Sequence, residues 1–308
     1  MCGVVGLFLK DKALEPELGA MVATMLETLS DRGPDSAGFA VYGARVAGQE
    51  KLTLRAAPGY DFEALAARLG AAMEVPRGRF GAEIGVSLGI ERFDTHAVVL
   101  IPQAQTIRAV AWLAAEAPEV DLVGQGARMA LFKEVGRPEA VARRFGLAAM
   151  SGTHAIGHTR MATESAVTTR GAHPFSTGPD QCLVHNGSLS NHDNVRRDLL
   201  REGYRFATEN DTEVAAVYLT ARMGAGLTLG EALAGTLADL DGFYTFLVGT
   251  EDGFGVIRDP IACKPAVMAE TERYVAFGSE FRALAALPGV GRARLFEPEP
   301  ARPYFWTH

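Results

Sequence analysis

The first ten residues of this chain, MCGVVGLFLK, constrain its fold more than any other segment. Residues 2–9 are apolar and rich in β-branched side chains, a pattern that predicts a buried strand. The segment lacks a basic leading region and is too short to be a signal peptide or a membrane span. We therefore expect a cytoplasmic protein in which removal of Met1 leaves Cys2 as the first residue, beside a strand in the core.

The composition excludes several classes of function. Of the 308 residues, 48% are apolar and 22% are charged, as in ordinary globular proteins. The formal net charge of −7 disfavours binding to nucleic acid, which needs a basic face. No apolar run approaches the roughly 18 residues of a membrane-spanning helix. We expect neither nucleic acid nor a membrane as a partner.

The three cysteines, Cys2, Cys182 and Cys263, do not form a recognisable framework. Their odd number and unpaired spacing predict no set of disulfides. The sequence has no C-x-x-C pair and no cluster of Cys and His with zinc-ligand spacing, so we predict no metal site. Free thiols of this kind fit a reducing cytosol.

Hydrophobic periodicity predicts helices that lie between two groups of strands. Residues 18–29 repeat apolar side chains at steps of three and four, which is typical of an amphipathic helix. Further helices are predicted over 61–73, 191–202, 211–223 and 229–239. Strands are predicted over 38–42, 184–187, 243–249, 253–258, 266–269 and 274–277. This arrangement favours a layered α+β fold.

The segment from about 85 to 150 has a different pattern of predicted elements. Short strand-like runs at 97–101 and 127–135 flank a helical stretch near 105–117. No group of polar residues within it suggests catalysis. We therefore predict a small α+β insertion within a single domain that spans residues 1–308.

A cysteine at the amino terminus can act as a nucleophile without a separate base. A free thiol has a pKa of about 8.5, so little thiolate forms at neutral pH. An α-amine has a pKa of roughly 7.7–8.0 and can take the thiol proton, directly or through a water. The same amine can later protonate a leaving group. The alternative interpretation of Cys2 is a buried structural cysteine, which is common.

Further motifs favour the nucleophile. They are DRGPDSAG (31–38), GHTRMAT (157–163), AHPF (172–175), HNGSLSNH (185–192) and NDTEVAA (210–216). With MCGVVGLF they occur in the order found in class II glutamine amidotransferases, which are N-terminal nucleophile hydrolases, and the chain resembles that family over about 1–60 and 150–285. The resemblance implies a four-layer αββα sandwich. It also implies hydrolysis of L-glutamine through a Cys2 thioester, with no cofactor in this chain.

The resemblance assigns glutamine binding to Arg160 and Asp211. A guanidinium can bind the substrate carboxylate through its planar pair of N–H donors, and a carboxylate can pair with the substrate ammonium. The alternative is a structural salt bridge between the two side chains. Asp211 also lies where a helix N-cap is expected.

The resemblance assigns the oxyanion hole to Asn186 and Gly187. Attack on the glutamine amide creates a tetrahedral oxyanion. Each hydrogen-bond donor aimed at it lowers the activation free energy by roughly 2.7–4 kcal/mol. Asn186 can offer its side-chain amide, and Gly187 can offer its backbone N–H. Asn-Gly is also a common tight hairpin turn, and the two interpretations are compatible.

Other residues are assigned supporting roles. Arg32 resembles the family arginine that helps to fix the segment carrying the nucleophile, and a surface arginine that stabilises a turn is the alternative. Thr163 and His173 are predicted to line the pocket. His158 and His185 are expected to be structural members of strands.

Two positions depart from the family pattern. Met161 stands where several members have an aromatic residue directly after the pocket arginine, and Glu164 stands where some have histidine. Both lie in the segment expected to close over glutamine. They argue against the sugar-aminating branch of the family.

The ammonia acceptor is expected to lie in a partner chain. After the hydrolase part, the sequence shows no sugar-isomerase region, phosphoribosyl-binding loop or adenylation motif. The length, the insertion and the segment 133–165 resemble the separate amidotransferase subunit of the glutamate synthase group, and within it the first subunit of N-methylglutamate synthase. This resemblance implies glutamate-synthase-like partner subunits, with flavin and an iron–sulfur cluster in a partner and glycine-repeat structure in a third chain.

Two other functions stay open. One is an independent N-terminal nucleophile amidase, although the pair Arg160 and Asp211 suits an α-amino acid. The other is a non-catalytic scaffold that binds an amino acid for a partner. A scaffold would not need an intact set of Cys2, Asn186 and Gly187.

Overall fold

The structure is a computed structural model that describes residues 2–73, 88–162 and 166–308. Its α-helices are α1 (Leu18–Thr28), α2 (Phe62–Met73), α3 (Thr106–Glu116), α4 (Pro138–Arg144), α5 (His192–Arg201), α6 (Asp211–Gly224) and α7 (Leu229–Asp239). Among these described residues, no helix is long and apolar enough to cross a membrane.

The strands form three antiparallel sheets. In chain order they are β1 (Gly3–Leu9), β2 (Ser36–Tyr42), β3 (Gln49–Arg55), β4 (Gly89–Phe93), β5 (His96–Pro102), β6 (Asp121–Gly126), β7 (Met129–Val135), β8 (His154–Arg160), β9 (Phe175–Gly178), β10 (Gln181–Leu189), β11 (Gly242–Thr250), β12 (Gly253–Arg258), β13 (Val267–Glu270), β14 (Tyr274–Gly278), β15 (Arg294–Phe296) and β16 (Tyr304–Thr307). A seven-stranded sheet has the order β15-β13-β14-β1-β8-β2-β7, and a five-stranded sheet has the order β16-β12-β11-β10-β9. The third sheet has the order β4-β5-β3-β6.

Strand β1 lies in the middle of the seven-stranded sheet. Its seven residues are all buried. Val5 pairs with Gly278 of β14 on one side and with Gly157 of β8 on the other. A strand that is covered on both faces and paired on both edges reads as a continuous apolar run. Core packing therefore fixes the position at which Cys2 enters the fold.

The two larger sheets pack face to face, and helices cover their outer faces. One apolar cluster joins α1 and α4 to the seven-stranded sheet and includes Leu26 and Phe39. A second lies between the sheets and includes Ile156 and Leu247. A third joins the five-stranded sheet to α5, α6 and α7 and includes Val214. The order helix, sheet, sheet, helix confirms the predicted α+β αββα sandwich.

The four-stranded sheet forms a smaller unit with α2 and α3. Its apolar core includes Leu54, Phe62, Val99 and Leu113. Strands β3 and β6 of this sheet lie close to β7, so the smaller unit adjoins the edge of the seven-stranded sheet.

The bounds of this smaller sheet differ from the predicted insertion at about 85–150. Its strands extend from Gln49 to Gly126, and residues after that belong to the main sandwich. Strand β7 pairs with β2 along its whole length, and α4 packs beside α1. The alternating pattern of β3 fits either sheet, because pattern alone does not specify the pairing partner.

Several histidines are buried inside this fold. Desolvation lowers the pKa of His96, His154 and His158 to about 3 and that of His173 well below its usual value. His154 donates from Nε2 to the carbonyl of Thr250 at 2.8 Å, which holds its ring in place inside the core. An unfolded histidine titrates near pH 6.5, so below that pH the unfolded chain binds more protons than the folded chain.

We therefore expect the free energy of unfolding to fall as the pH falls from about 6.5 towards 3. Each of the three histidines whose pKa is about 3 should lower the free energy of unfolding by about 2 kcal/mol between pH 7.5 and pH 5. Urea unfolding at a series of pH values measures this slope. The substitution His154→Gln keeps a donor for the Thr250 carbonyl but cannot titrate. The pH dependence of its unfolding free energy should therefore correspond to about one proton fewer taken up on unfolding. An equal pH dependence of the unfolding free energy in the two proteins would contradict the assignment of His154 as a neutral residue of the core.

Candidate active site

A cleft of about 700 Å³ opens where β1 begins and β8 ends. Cys2 precedes β1, Arg160 is the last residue of β8, and Asp211 is the first residue of α6. Asn186 and Gly187 lie within β10. All five line the cleft, and so does His173. The sandwich thus brings together residues that are far apart in the sequence.

The main chain of Cys2 is fixed, while its side chain faces the cleft. The carbonyl oxygen of Cys2 accepts hydrogen bonds from Arg32 Nε at 3.0 Å and from Asn186 Nδ2 at 3.3 Å. The Sγ atom lies 3.9 Å from the carbonyl oxygen of Met161, within reach of a weak S–H donor. Cys2 is half-buried, so its thiol is open to a small molecule in the cleft.

The guanidinium of Arg32 is held by two partners, the carbonyl of Cys2 and the carboxylate of Glu280. It is buried, and its second donor reaches the carboxylate of Glu280, just after β14. Desolvation opposes ionisation of Glu280, but the hydrogen bonds and charges of Arg32 and Arg282 together outweigh it and lower the pKa of that carboxyl. The alternative of a surface arginine is therefore wrong. Arg32 connects the carboxyl-terminal part of the sheet to the residue that bears the thiol.

The turn that carries Arg160 is held by Asp35. The Asp35 N–H donates to the carbonyl of Arg160 at 3.1 Å, and the Asp35 carboxylate accepts from the N–H of Ala162 at 2.8 Å. Arg160 itself is buried at the end of β8. Asp35 belongs to the motif DRGPDSAG, but no role was predicted for it from the sequence. A short carboxylate just before a strand is a common turn-binding group, and that was the available signal.

Asp211 does not cap its helix. The N-cap of α6 is Asn210, whose side chain accepts from the N–H of Thr212 at 2.9 Å. The Asp211 carboxylate instead accepts from the N–H of Leu189 at 3.0 Å, which fixes it beside β10. It lies in the first turn of α6, where the helix dipole stabilises a negative charge. Its side chain is thus held in place along the cleft.

Asn186 and Gly187 do not form a hairpin turn, so that interpretation is wrong. They lie inside β10 and pair with Thr245 and Tyr244 of β11. Gly187 has a φ of +152°, and an added Cβ would lie 2.0 Å from the carbonyl oxygen of Phe243. Only glycine fits this backbone, which turns locally away from regular strand geometry.

Three histidines are buried beside these residues, and two of them, His173 and His185, line the cleft. His158 donates from Nε2 to the carbonyl of His185 at 3.0 Å, and the rings of His158 and His173 are 4.0 Å apart. His185 contacts Thr212 Oγ1 at 3.0 Å through Nδ1. Desolvation lowers the pKa of all three, and the charge of Asp211 opposes this at His185. They are therefore neutral packing and hydrogen-bonding groups, as predicted for His158 and His185.

Some predicted positions are not described by the structure. Thr163 and Glu164 lie outside the described residues, so their assigned roles stay predictions. Met161 contributes its backbone carbonyl to Cys2, while its side chain is 38% exposed. Phe243 and Lys264 also line the cleft, with the ammonium 4.8 Å from the ring centroid. No motif in the sequence pointed to these last two residues.

The cleft has the groups that an amino acid with a side-chain amide requires. A guanidinium and a carboxylate suit the two charges of the zwitterion, and a thiol lies beside an amide and a glycine. Within residues 2–73, 88–162 and 166–308, no three Cys, His, Asp or Glu side chains are grouped to hold a metal ion.

Comparison with known proteins places these features in a family. The model of a glutamine amidotransferase domain matches residues 158–286. The chain is 59% identical over 309 residues to the glutamine amidotransferase-like protein GlxB of Rhizobium meliloti, covering 100% of this chain and 99% of that protein. It is 33% identical over 172 residues to a glutamine–fructose-6-phosphate aminotransferase of Mycolicibacterium paratuberculosis, covering 53% of this chain and 27% of that protein.

The fold is shared with a solved amidotransferase. The structure of glutamine phosphoribosylpyrophosphate amidotransferase from B. subtilis matches with a TM-score of 0.62 at 20% identity, over 99% of this chain and 47% of that chain. The match to the R. meliloti protein, at 59% identity, covers this chain over its whole length. The chain is therefore an enzyme of the class II glutamine amidotransferase family.

Proposed function

We propose that this chain hydrolyses L-glutamine to L-glutamate and ammonia through a thioester on Cys2. The observation that carries the proposal is the single cleft in which Cys2 meets Asn186, Gly187, Arg160 and Asp211. These groups match the thiol, the oxyanion donors and the two charges that the reaction needs.

The proposed reaction begins with the thiol of Cys2. After removal of Met1, its α-amine accepts the thiol proton and Sγ attacks the side-chain amide carbon of glutamine. The carbonyl oxygen becomes an oxyanion in a tetrahedral intermediate. The amine then returns the proton to the amide nitrogen, the C–N bond breaks, and ammonia leaves with a thioester in place. Water adds to the thioester, releases glutamate and regenerates the thiol.

Asn186 has two N–H donors on its side-chain amide, so one can serve the oxyanion during this cycle. Its Nδ2 donates to the carbonyl of Cys2 at 3.3 Å, near the upper limit of a good hydrogen bond. A developing oxyanion is a stronger acceptor than a carbonyl, because it carries a charge. We infer that the other N–H of Asn186 Nδ2 donates to the oxyanion and that the N–H of Gly187 supplies the second donor.

Recognition of glutamine would use the charges at the other end of the cleft. The guanidinium of Arg160 can bind the α-carboxylate through two parallel N–H donors. One oxygen of the Asp211 carboxylate accepts a hydrogen bond from the N–H of Leu189, which orients the carboxylate. Its remaining lone pairs can accept from the α-ammonium. His173 and Thr163 are proposed as parts of the pocket wall.

The ammonia would pass to a partner synthase chain in the cytoplasm, of the glutamate synthase or N-methylglutamate synthase type. Hydrolysis alone would release ammonia to water, where most of it becomes ammonium and loses its nucleophilic lone pair. A relative matched over 99% of its length supports the view that a chain of this size is a recurring unit. The exposed side chain of Met161 at the cleft gives such a partner a surface to contact.

Removal of the Cys2 thiol should abolish glutamate release from glutamine. We expect Cys2→Ala to leave the fold intact, because the thiol makes one weak hydrogen bond within the described part of the chain. Glutamate production by the purified chain, with and without candidate synthase partners, measures the effect. The control is Cys263→Ala, which removes an exposed thiol and should keep full activity. Equal activity of Cys2→Ala and the parent chain would refute the proposal.

Loss of the Asn186 amide should slow turnover more than it weakens binding. We expect Asn186→Ala to lower kcat by about 10²–10³-fold, because the donor acts on the oxyanion that forms only during reaction. Steady-state kinetics with glutamine separates kcat from KM. A variant that raised KM at unchanged kcat would place Asn186 in substrate binding instead.

Changes at the charged pair should act on recognition. Arg160→Lys keeps the charge but loses the planar pair of donors, and Asp211→Asn loses the charge but keeps the shape. Each should lower kcat/KM for glutamine by at least roughly tenfold. Alkylation of Cys2 by iodoacetamide, which has neither charge, should be unaffected. Parallel losses in both assays would indicate a folding defect instead of a recognition defect.

A further inference from the structure

One wall of the cleft is a segment without regular structure. Residues 166–174, called the strap here, connect the region after Arg160 to β9. Ala166, Thr168, Gly171 and His173 of the strap line the cleft. A wall of irregular backbone needs anchors from outside, because it has no sheet or helix hydrogen bonds of its own.

Lys133 of β7 is the main anchor. It is 5% exposed, and its Nζ donates to the carbonyls of Arg170 at 3.2 Å, Ala172 at 2.8 Å and Pro174 at 3.2 Å. An ammonium has three donors, and all three are therefore used on the strap. The ammonium also lies 4.4 Å from the ring centroid of Phe175, directly after the strap.

The burial of Lys133 is compatible with this role. Desolvation lowers its pKa to about 8, so the side chain still carries its third proton at neutral pH. Among the described residues, no carboxylate forms an ion pair with it. A buried charge without a carboxylate partner is costly, and here backbone carbonyls replace the lost water.

The neighbouring residue holds the strap at a second point. The carboxylate of Glu134 accepts from the hydroxyl of Thr169, and its other oxygen contacts Thr95 Oγ1 at 3.4 Å. Outside the cleft, Arg170 donates to Asp121 at 2.6 and 3.0 Å. These contacts use Thr169 and Arg170, which are not among the strap residues that line the cleft.

Gly38 makes room for the strap beside Lys133. It pairs with Lys133 across β2 and β7. An added Cβ at Gly38 would lie 2.2 Å from the carbonyl oxygen of His173. The strap thus lies directly on the sheet, and a glycine of the motif DRGPDSAG permits the contact.

We propose that Lys133 and Glu134 are positioning residues that hold the strap in place as a wall of the glutamine pocket. The proposal rests on the proposed function, since the pocket is taken to bind glutamine. Neither side chain lines the cleft, so both act through the strap. Their effect should therefore fall on glutamine binding and leave the reactivity of the Cys2 thiol unchanged.

The test compares Lys133→Met with a matched control in the full chain. Lys51→Met is the control, because Lys51 also donates to two backbone carbonyls, at 3.0 and 2.9 Å, but away from the strap. We expect Lys133→Met to raise KM for glutamine about tenfold and to speed amide exchange in residues 166–173 about tenfold. Alkylation of Cys2 by iodoacetamide should stay within about twofold of the parent chain.

A milder variant keeps the test decisive if Lys133→Met does not fold. Thr169→Val removes the hydroxyl that donates to Glu134 and keeps the shape of the side chain. It should shift KM and strap exchange in the same direction by a smaller factor. Unchanged strap exchange in both variants, or equal changes in Lys51→Met, would overturn the positioning role.

The two proposals can fail separately. If the parent chain released no glutamate even with partner chains present, the proposed function would fail. Amide exchange in the strap would still decide whether Lys133 and Glu134 hold it. If the parent chain were active and Lys133→Met lowered kcat at unchanged KM, the wall would not be part of glutamine binding.

Discussion

The site depends on two hydrogen bonds to one carbonyl oxygen, that of Cys2. One comes from Arg32, which follows α1 beside the seven-stranded sheet, and the other comes from Asn186 in the five-stranded sheet. The residue that bears the nucleophile is thus tied to both sheets of the sandwich. Because β1 is buried between β14 and β8, any shift of Cys2 would have to disturb the core.

The same arrangement places the remaining groups of the cleft. Arg160 ends the strand that pairs with β1, and Asp211 begins the helix that packs on β10. Irregular backbone completes the cleft, and it is held by side chains outside the reaction: Asp35 holds the turn after Arg160, and Lys133 holds the strap. Rigid elements thus position the reacting groups, and anchored segments form the walls.

The sequence was informative where a physical pattern was local. The apolar run of β1 and the periodicity of α1 and α6 predicted buried elements at nearly the observed bounds. The residues of the motifs meet in one cleft, as a shared reaction would require. The α+β class and the family were also predicted correctly.

What the sequence missed depends on contacts between distant residues. Asp211 looked like an N-cap, but the adjacent Asn210 takes that position. A tight turn was the alternative interpretation of Asn186 and Gly187, because a strand that tolerates a positive φ has no sequence signature of its own. The bounds of the smaller sheet depend on which strand β3 pairs with. The role of Lys133 depends on its hydrogen bonds to the strap, about 40 residues further along the chain.

The nucleophilic role of Cys2 can be tested by the intact mass of the chain before and after reaction with a glutamine-shaped diazoketone, followed by peptide mapping. We expect a chain that has lost Met1 and gains one adduct, on Cys2, which excess glutamine suppresses. An amino terminus that retains Met1, or an adduct on Cys182 or Cys263 in place of Cys2, would contradict it.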